Sequence, residues 1–335
     1  MKKILYLGNK LEKHGYSPTS IDTLTPLLEA ERYYVKSVSS IRNKPLRLFH
    51  MLSSIVRERN IHTVLIDTYS TTNFWYAVLG ARLCLLLKIP YILILHGGNL
   101  KQRLTSSSKR ILKIFIQARA TVAPSHFLKD QLQEFQFGNM VCIPNSIDIT
   151  NYSFKKRKDL KPRLLWVRAF NEIYNPEMFL KLVKILRKDY PDLTACMVGP
   201  DKDGTLKKYQ DISESQGLNI QFTGKISKNE WIKLSEDYDI FINTTNIDNT
   251  PVSLIEAMAL GLPVISTNVG GIPYLISNEK NGFLVEPKDV NAMATAVKKL
   301  IQNPGMAESL SSQGRLKAEE FNWEQVKNKW LDLLG

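Results

Sequence analysis

The sequence predicts an α/β protein with two doubly wound parallel sheets. Short apolar segments of strand character alternate with segments of helical period through both halves of the chain. The length of 335 residues is more than one typical hydrophobic core organises, which favours two domains. A basic, proline-bounded stretch at residues 154–162 separates the two series and is interpreted as a linker and solvated hinge. Strands that alternate with helices imply parallel sheets covered by helices on both faces.

The first domain is predicted to cover residues 1–152. Its first strand runs into a glycine turn at Gly8, and the stretch from Ser17 to Ser20 opens the helix that follows. Strands are expected at residues 2–7, 34–38, 63–67, 91–95, 120–123 and 141–143. Helices are expected at residues 21–28, 45–59, 74–87, 107–119 and 126–136. Pro124 and Ser125 supply the cap of the last of these helices.

The second domain is predicted to cover residues 153–315, followed by a C-terminal helix over residues 316–335 that packs back on the first domain. Strands are expected at residues 163–167, 193–198, 220–222, 239–243, 262–265 and 283–285. Helices are expected at residues 176–188, 205–216, 229–235, 251–260 and 290–302. Asn175 and Asp289 are suited to cap two of them. Two helical stretches, broken near Phe321, fill the tail from residue 306 to residue 334.

Composition places the chain among ordinary globular proteins, with 44% apolar and 23% charged residues. Its three cysteines are far apart and lack the spacing of a metal site or a disulfide framework, which fits a reducing cytosol. The apolar run after Met1 is too short for a signal peptide. The apolar region at residues 74–95 is interrupted by Arg82, Lys88 and Pro90, so it fits a helix and a buried strand. We therefore expect a cytoplasmic protein with no membrane span.

Charge is distributed unevenly along the chain, whose net charge is +13. No acidic residue lies between Asp67 and Asp130, whereas nine basic residues do. This asymmetry favours an anionic partner, or else a solvated basic face that keeps the protein soluble. One hypothesis is an anionic membrane surface bound peripherally, at the inner face of the membrane, by the helix that carries Lys109, Arg110 and Lys113 beside Ile111, Ile114 and Phe115. Nucleic acid is not expected, since the basic linker lacks interleaved aromatic residues.

Chemically distinctive residues recur where predicted strands end. Ligands of doubly wound sheets bind beyond the carboxyl ends of the strands. The residues at these ends are Gly8, Asp67, His96, Pro124, Ser125, Arg168, Gly224, Lys225 and Asp248. Their common position predicts a ligand site at these edges.

The segment from Asp248 to Ile265 is the most informative part of the chain. Thr250 can cap a helix whose first residue is Pro251, and Gly261 can end it. The N–H groups of Val252 and Ser253 at such a helix start form an anion site. A carboxylate on each side, at Asp248 and at Glu256, suits a ligand with phosphate in the middle and hydroxyls at both ends, such as a nucleotide sugar. The alternative is an ordinary capped helix with a solvated or salt-bridged glutamate.

The same segment resembles the signature of the retaining glycosyltransferases of family four, which have the GT-B fold. The matching residues are Asp248, Glu256 to Ala259, Gly261, Pro263 to Ile265, Gly270 and Gly271. Further matches are Pro124-Ser125, Ile143 to Asp148, Phe222 to Gly224 and Asn281 to Val285. The resemblance implies two Rossmann-like domains facing across a cleft. It also implies an acceptor-binding first domain and a second domain that binds the nucleotide sugar.

The resemblance implies a role for each matching position. Glu256 would hold the ribose hydroxyls, and Asp248 with the backbone of Asn249, Thr250, Pro251 and Val252 would bind the transferred sugar. Arg168 and the helix start at Val252, Ser253 and Leu254 would stabilise the diphosphate, which the loop at Gly8 would also approach. His96 would face the sugar near the reacting carbon. Gly224, Lys225 and Ile226 would lie beside the nucleobase.

Three positions depart from the family pattern. The first acidic position is usually Glu and here is Asp248, which bears on the choice of sugar. The Lys expected five residues beyond the Arg is replaced by Ile173, so the charge of the leaving group rests on Arg168, the helix start or a cation such as Lys225. The acid that usually follows the paired glycines is replaced by Tyr274.

The expected activity is transfer of a sugar, with retention, from a nucleoside diphosphate to an acceptor hydroxyl by a hexosyltransferase-type enzyme. The acceptor would be a glycan or lipid-linked intermediate of cell-surface polysaccharide synthesis. No metal is expected to take part, because Asp201 and Asp203 have the spacing of a metal motif but the setting of a turn. The alternatives are a nucleotide-sugar epimerase and a catalytically silent nucleotide-sugar-binding protein on the same fold. A dehydrogenase is disfavoured because no G-x-G-x-x-G follows a strand.

Overall fold

The computed structural model describes residues 1–14, 16, 18–97 and 99–335, which divide into two compact units. The first unit comprises Met1–Asn145 and Val326–Gly335, and the second comprises Ser146–Gln325. The division thus falls after Asn145, and residues 326–335 of the tail are grouped with the first unit. Within that unit, the ring of His62 lies 2.9 Å from the carbonyl oxygen of Leu334.

The first unit contains a six-stranded sheet in which every neighbouring pair is parallel, in the order β2-β1-β3-β4-β5-β6. Its strands are β1 (Lys3–Leu7), β2 (Tyr34–Val38), β3 (Ile61–Tyr69), β4 (Tyr91–His96), β5 (Ala120–Ala123) and β6 (Met140–Cys142). Its helices are α1 (Ser20–Ala30), α2 (Lys44–Arg57), α3 (Phe74–Leu86), α4 (Leu100–Thr105), α5 (Lys109–Ile116) and α6 (His126–Gln131). Ser17, expected to help open α1, lies outside the described residues. The predicted alternation is confirmed, and α4 is an additional helix.

The second unit contains another six-stranded parallel sheet, in the order β12-β11-β10-β7-β8-β9. Its strands are β7 (Arg163–Val167), β8 (Thr194–Val198), β9 (Ile220–Gly224), β10 (Ile240–Asn243), β11 (Val264–Thr267) and β12 (Phe283–Val285). Its helices are α7 (Pro176–Leu186), α8 (Leu206–Ser215), α9 (Lys228–Leu234), α10 (Val252–Ala259), α11 (Ile272–Leu275), α12 (Val290–Gln302) and α13 (Pro304–Glu319). The last helix, α14 (Trp323–Leu334), begins in this unit and ends in the first.

Two of the three helix caps predicted for the second unit are confirmed. Asn175 and Asp289 accept hydrogen bonds from the N–H groups of Met178 and Ala292, as predicted. The predicted cap of α10 is wrong. Pro251 is the N-cap residue and makes no side-chain cap bond, so Thr250 lies one position outside the helix. A proline at this position costs nothing, because its missing N–H has no partner at a helix start.

The basic linker is solvated only in part: its four lysines are exposed as predicted, but its arginine is not. The side chain of Arg157 is buried, with 3% exposure, and its guanidinium donates to the carbonyl oxygens of Tyr238, Leu260, Ser235 and Lys155 at 2.7–3.2 Å. Burial lowers the pKa of Arg157 to about 10, so the group remains charged at neutral pH. Composition did not reveal this burial because three of the four carbonyl groups lie far from Arg157 in the sequence.

Helix α5 also differs from its prediction. Lys109, Arg110 and Lys113 are exposed, but Ile114 and Phe115 are buried at 3% and 2% exposure. The ring of Phe115 stacks on Phe74 at 6.2 Å, in the core of the first unit. The apolar face of α5 is therefore covered by protein. Among the described residues, the chain has no helix with the length and apolar character that crossing a bilayer requires.

Candidate functional site

The start of α10 combines free backbone donors with a shielded side-chain hydroxyl. Leu254 and Ile255 donate the first helical bonds, both to the carbonyl oxygen of Pro251, which leaves the N–H groups of Val252 and Ser253 without a partner within the helix. The Ser253 hydroxyl oxygen is shielded from solvent and has no hydrogen-bond partner among the described residues. Buried polar atoms are rarely unpaired, so a missing ligand is a ready explanation. Gly261, at φ +77°, ends the helix as predicted.

Arg168 and Asp248 form an ion pair beside this helix start. Arg168 directly follows β7, and its guanidinium Nη2 donates to Asp248 Oδ2. Its Nε lies 3.4 Å from Asn243 Oδ1, and its guanidinium lies over the ring of Tyr174, 4.9 Å from the centroid. Both charged side chains keep some exposure, 13% and 15%. The cation is therefore held in place from three sides yet remains within reach of an anionic ligand.

The backbone of Asp248 is held by the paired glycines of the family motif. The Gly271 N–H donates to the Asp248 carbonyl oxygen at 2.9 Å. A Cβ on Gly270, which has φ +55°, would lie 2.1 Å from that same oxygen. A larger residue would not fit there without moving the loop, so Gly270 allows the close approach of the two backbone segments.

Glu256 lies on α10 and has two partners from distant parts of the second unit. It is buried, with 6% exposure. The Tyr152 hydroxyl donates to Glu256 Oε1 at 2.7 Å, and Lys228 Nζ lies 2.7 Å from the same oxygen. Burial, followed by the negative charge of Glu256, raises the pKa of Tyr152, so the phenol stays protonated and donates. The carboxylate is a strong, oriented acceptor with one oxygen already engaged.

The predicted nucleobase segment lies at the end of β9 in the same unit. The Gly224 carbonyl oxygen accepts a bond from the Gly199 N–H at 2.9 Å. Lys225 is exposed, whereas Ile226 is partly buried and packs against the hydrophobic cluster that includes Leu254 and Ile255. The segment is thus connected to the base of α10 by packing.

In the first unit, Gly8 directly follows β1 and His96 is the last residue of β4, and both lie next to Asp67 of β3. His96 Nε2 lies 2.9 Å from Asp67 Oδ1. A Cβ on Gly8 would lie 2.4 Å from Asp67 Oδ2. The two predicted site residues of this unit therefore share one carboxylate as a neighbour.

Asp201 and Asp203 have local structural roles. Asp201 Oδ1 accepts from the Gly204 N–H at 2.8 Å, and Asp203 accepts from the N–H groups of Thr205 and Glu172. No cluster of three or more His, Cys, Asp or Glu side chains that could hold a metal ion occurs in residues 1–14, 16, 18–97 and 99–335. Whether the reaction needs a metal stays a prediction.

Sequence reasoning missed three residues that contact the predicted site. Tyr152 and Lys228 bind Glu256, and Tyr174 supports Arg168 next to the position where the family lysine is replaced by Ile173. Lys228 follows the Gly224 segment closely enough to have been considered. No local signal marks Tyr152, which lies 104 residues from its partner.

Comparison with known proteins identifies the family of the chain. The profile of the family described as glycosyl transferases group 1 matches residues 148–317, and that described as glycosyltransferase family 4 matches residues 4–151. The chain belongs to the group 1 glycosyltransferases. Two six-stranded parallel sheets, each flanked by helices, give it the GT-B fold of two Rossmann-like domains.

Several relatives of this glycosyltransferase resemble it over different lengths. An uncharacterized glycosyltransferase of Haemophilus influenzae is 27% identical over 60% of the chain, and the match covers 57% of that relative. The chain thus spans just over half the length of this relative. A sucrose-phosphate synthase from Thermosynechococcus elongatus has a TM-score of 0.77 at 17% identity, covering 99% of this chain and 98% of that one. Anabaena Alr3699/HepE, solved with UDP and glucose, has a TM-score of 0.77 at 16% identity, covering 100% and 99%.

Proposed function

We propose that this glycosyltransferase moves a hexose, with retention of anomeric configuration, from a nucleoside diphosphate donor to an acceptor hydroxyl. The observation that carries the proposal is the start of α10, where free N–H groups and the shielded Ser253 hydroxyl adjoin the Arg168–Asp248 pair. Such a helix start stabilises an anion through its backbone donors and its dipole. A diphosphate there supplies the partner that Ser253 lacks.

The roles of the surrounding residues follow from this placement. Arg168 and the helix start neutralise the charge that develops on the leaving phosphate, and Glu256 accepts hydrogen bonds from the ribose hydroxyls. Asp248 and the loop before α10 bind the transferred sugar. Residues 224–226 contact the base. From the first unit, we assign Gly8 to the diphosphate and His96 to the sugar.

Donor binding must rearrange the ion pair at Arg168. Asp248 takes up part of the guanidinium's donor capacity. A phosphate oxygen would share that guanidinium, and Asp248 would accept from sugar hydroxyls instead. With Ile173 at the position of the family lysine, the stack of Arg168 on Tyr174 keeps the remaining cation in place. We propose front-side attack in which the departing phosphate takes the acceptor proton.

A solved relative indicates which donors to test first. The Anabaena structure contains UDP and glucose, so uridine diphosphate hexoses are the first donors to test. We propose a glycan or lipid-linked acceptor of cell-surface polysaccharide synthesis, reached in the cytoplasm, and catalysis without a metal. An epimerase and a silent binding protein are the competing functions.

A donor panel tests the proposal. We expect one of the UDP-, GDP- or ADP-hexoses to raise the melting temperature, and the same donor to be consumed with a glycan or lipid-linked acceptor in EDTA. NMR of the product should show the donor's anomeric configuration. Isomerised donor in the absence of acceptor would establish an epimerase instead. A thermal shift without turnover across acceptors would support the silent binding protein, and an inverted product would overturn the retaining mechanism.

We propose that the surface that binds an anionic membrane lies on α2 and α3 of the first unit, and not on α5. Three large apolar side chains on the outer face of α2 are exposed, and Leu46 and Phe49 reach 58% and 66%. The third is Val56, the residue before the last one of α2. On the neighbouring helix α3, Trp75 is 44% exposed and Leu86 is exposed as well. Contiguous apolar groups on a helix surface mark an interaction site.

Cations border the part of this surface formed by Leu46, Phe49 and Trp75. The Tyr76 hydroxyl of α3 donates to the Lys44 carbonyl oxygen at 3.3 Å, which brings the starts of α2 and α3 together. The Arg103 guanidinium lies 5.8 Å from the Trp75 ring centroid, and Arg42 and Lys44 are exposed. No acidic residue lies between Glu31 and Glu58. Apolar side chains with a tryptophan and a positive border suit an anionic lipid surface.

Flotation with vesicles tests this surface. Wild-type protein should float with vesicles that contain phosphatidylglycerol, and added salt should reduce this binding. It should not float with vesicles of phosphatidylcholine alone. We expect Leu46→Ser with Phe49→Ser to weaken binding by about tenfold or more, because each side chain buries apolar area worth about 1.5–3 kcal/mol. Leu316→Ser is the matched control, since Leu316 is equally exposed in the second unit. Unchanged flotation, or a dimer that dissociates in the double variant, would contradict the lipid assignment.

A further inference from the structure

Asp67 of β3 is a buried carboxylate that the proposed reaction does not yet use. It is 3% exposed and lies near the carboxyl end of the strand, with Tyr69 on the same face two residues later. In the parallel register, Tyr69 pairs with His96 of β4. Neighbouring β1 contributes Tyr6. Three strands thus bring four polar side chains to one point.

Each neighbouring side chain contacts one particular oxygen of the Asp67 carboxylate. Tyr6 donates its hydroxyl to Oδ1 at 3.0 Å, and His96 Nε2 lies 2.9 Å from that oxygen. The Tyr69 hydroxyl donates to Oδ2 at 3.2 Å, while its ring stacks on the imidazole with centroids 4.9 Å apart. Gly8 leaves room for Oδ2, since a Cβ there would lie 2.4 Å from it. The carboxylate cannot move without displacing one of these groups.

The chemistry of this cluster fixes the direction of its hydrogen bonds. Burial, followed by the charge of Asp67, raises the pKa of Tyr6 and of Tyr69, so both phenols stay protonated and donate. An ionised carboxylate only accepts, so the bond to His96 requires a proton on Nε2. Among the described residues, His96 is the one ion-pairing partner of Asp67. No described residue forms a hydrogen bond with His96 Nδ1.

We infer that Asp67 is a positioning residue that holds His96 with its proton on Nε2 and presents Nδ1 as an acceptor for a substrate hydroxyl. This inference rests on the proposed function, in which His96 contacts the sugar. The bond fixes the tautomer and the tilt of the ring, and the stack on Tyr69 fixes its plane. A hydroxyl of the sugar or of the acceptor would donate to Nδ1.

A double-mutant cycle on kcat/KM tests whether Asp67 acts through His96. We expect Asp67→Ala to lower kcat/KM by about tenfold or more in the presence of His96, and to have little further effect in the His96→Ala background. A purely structural aspartate would lower activity equally in both backgrounds, which would overturn the inference. Asp67→Asn keeps the side-chain volume and serves as a second variant, because alanine leaves the hydroxyls of Tyr6 and Tyr69 without an acceptor.

NMR of protein labelled with ¹⁵N-histidine provides a readout independent of activity. The wild type should show an imidazole Nε2–H resonance protected from exchange, assigned by its loss in His96→Ala. This Nε2–H resonance should also be lost or shifted in Asp67→Ala and Asp67→Asn. It should be kept in Tyr6→Phe, which removes one hydrogen bond to Asp67 Oδ1, the oxygen that His96 contacts. A wild-type proton on Nδ1, or an unchanged resonance without Asp67, would overturn the inference. Full activity of His96→Ala with the expected spectra would instead refute the role of His96 in the proposed function.

Discussion

Arg168→Ala is expected to lower kcat for sugar transfer by about 100- to 1,000-fold, the loss typical of removing one preorganised group that stabilises developing charge. The effect should be at the upper end, because Ile173 stands where the family resemblance leads us to expect a second cation. Steady-state kinetics with the donor identified by the panel measures it. Arg168→Lys should recover little of the loss, since an ammonium cannot reproduce the planar fork that faces Asp248 and stacks on Tyr174.

The control for Arg168 must separate lost chemistry from a lost ion pair. Lys207→Ala removes an exposed ion pair with Asp211 in the same unit, and we expect it to retain wild-type kinetics. Arg168→Ala leaves Asp248 without its cation, but both side chains keep contact with solvent, so a modest fall in melting temperature is expected. If Arg168→Ala keeps most of the wild-type kcat, the diphosphate site is wrongly assigned.

Glu256→Ala is expected to abolish measurable transfer. Two hydrogen bonds from ribose hydroxyls to a carboxylate are together worth about 3–6 kcal/mol, which corresponds to a loss of about 100- to 10,000-fold in kcat/KM. The same change also removes the acceptor of the buried Tyr152 hydroxyl, and an unpaired buried donor costs about 1–3 kcal/mol of stability. Both the thermal melt and the kinetics must therefore be measured.

A second substitution separates these two effects. Tyr152→Phe removes the hydroxyl that Glu256→Ala leaves unpaired, so the double variant should melt closer to the wild type than Glu256→Ala does. Transfer should remain absent in the double variant, whereas Tyr152→Phe alone should keep substantial activity. Recovery of activity together with stability would mean that Glu256 acts through folding and not by binding the donor.

Local sequence patterns predicted the strands well, because buried parallel strands have nearly continuous apolar sequences. β2, β5 and β12 have the predicted limits, Tyr34–Val38, Ala120–Ala123 and Phe283–Val285. Helix starts were less certain. Thr250 and Pro251 both suit the start of α10, and the choice between them depends on how Gly270 and Gly271 hold the preceding loop.

Charge patterns were the least reliable guide. Basic residues of the linker suggested a solvated hinge, yet Arg157 is buried among carbonyl groups from several elements. On α5 the cations are exposed as expected, but Ile114 and Phe115 belong to the core. The charge of a side chain does not reveal whether it is buried or exposed, since burial depends on neighbours that are distant in the chain.

The order of the elements, the two-domain organisation and the family were readable from the chain alone, because periodicity, caps and the motif from Asp248 to Ile265 depend on residues a few positions apart. The partners of the carboxylates at the predicted strand ends and in the motif could not be predicted from the sequence. Glu256 meets Tyr152 across 104 residues, Asp248 meets Arg168 across 80, and Asp67 meets His96 across 29. These contacts exist because parallel strands and their helices bring remote segments to one sheet edge, so they were decided by the packing of the folded units.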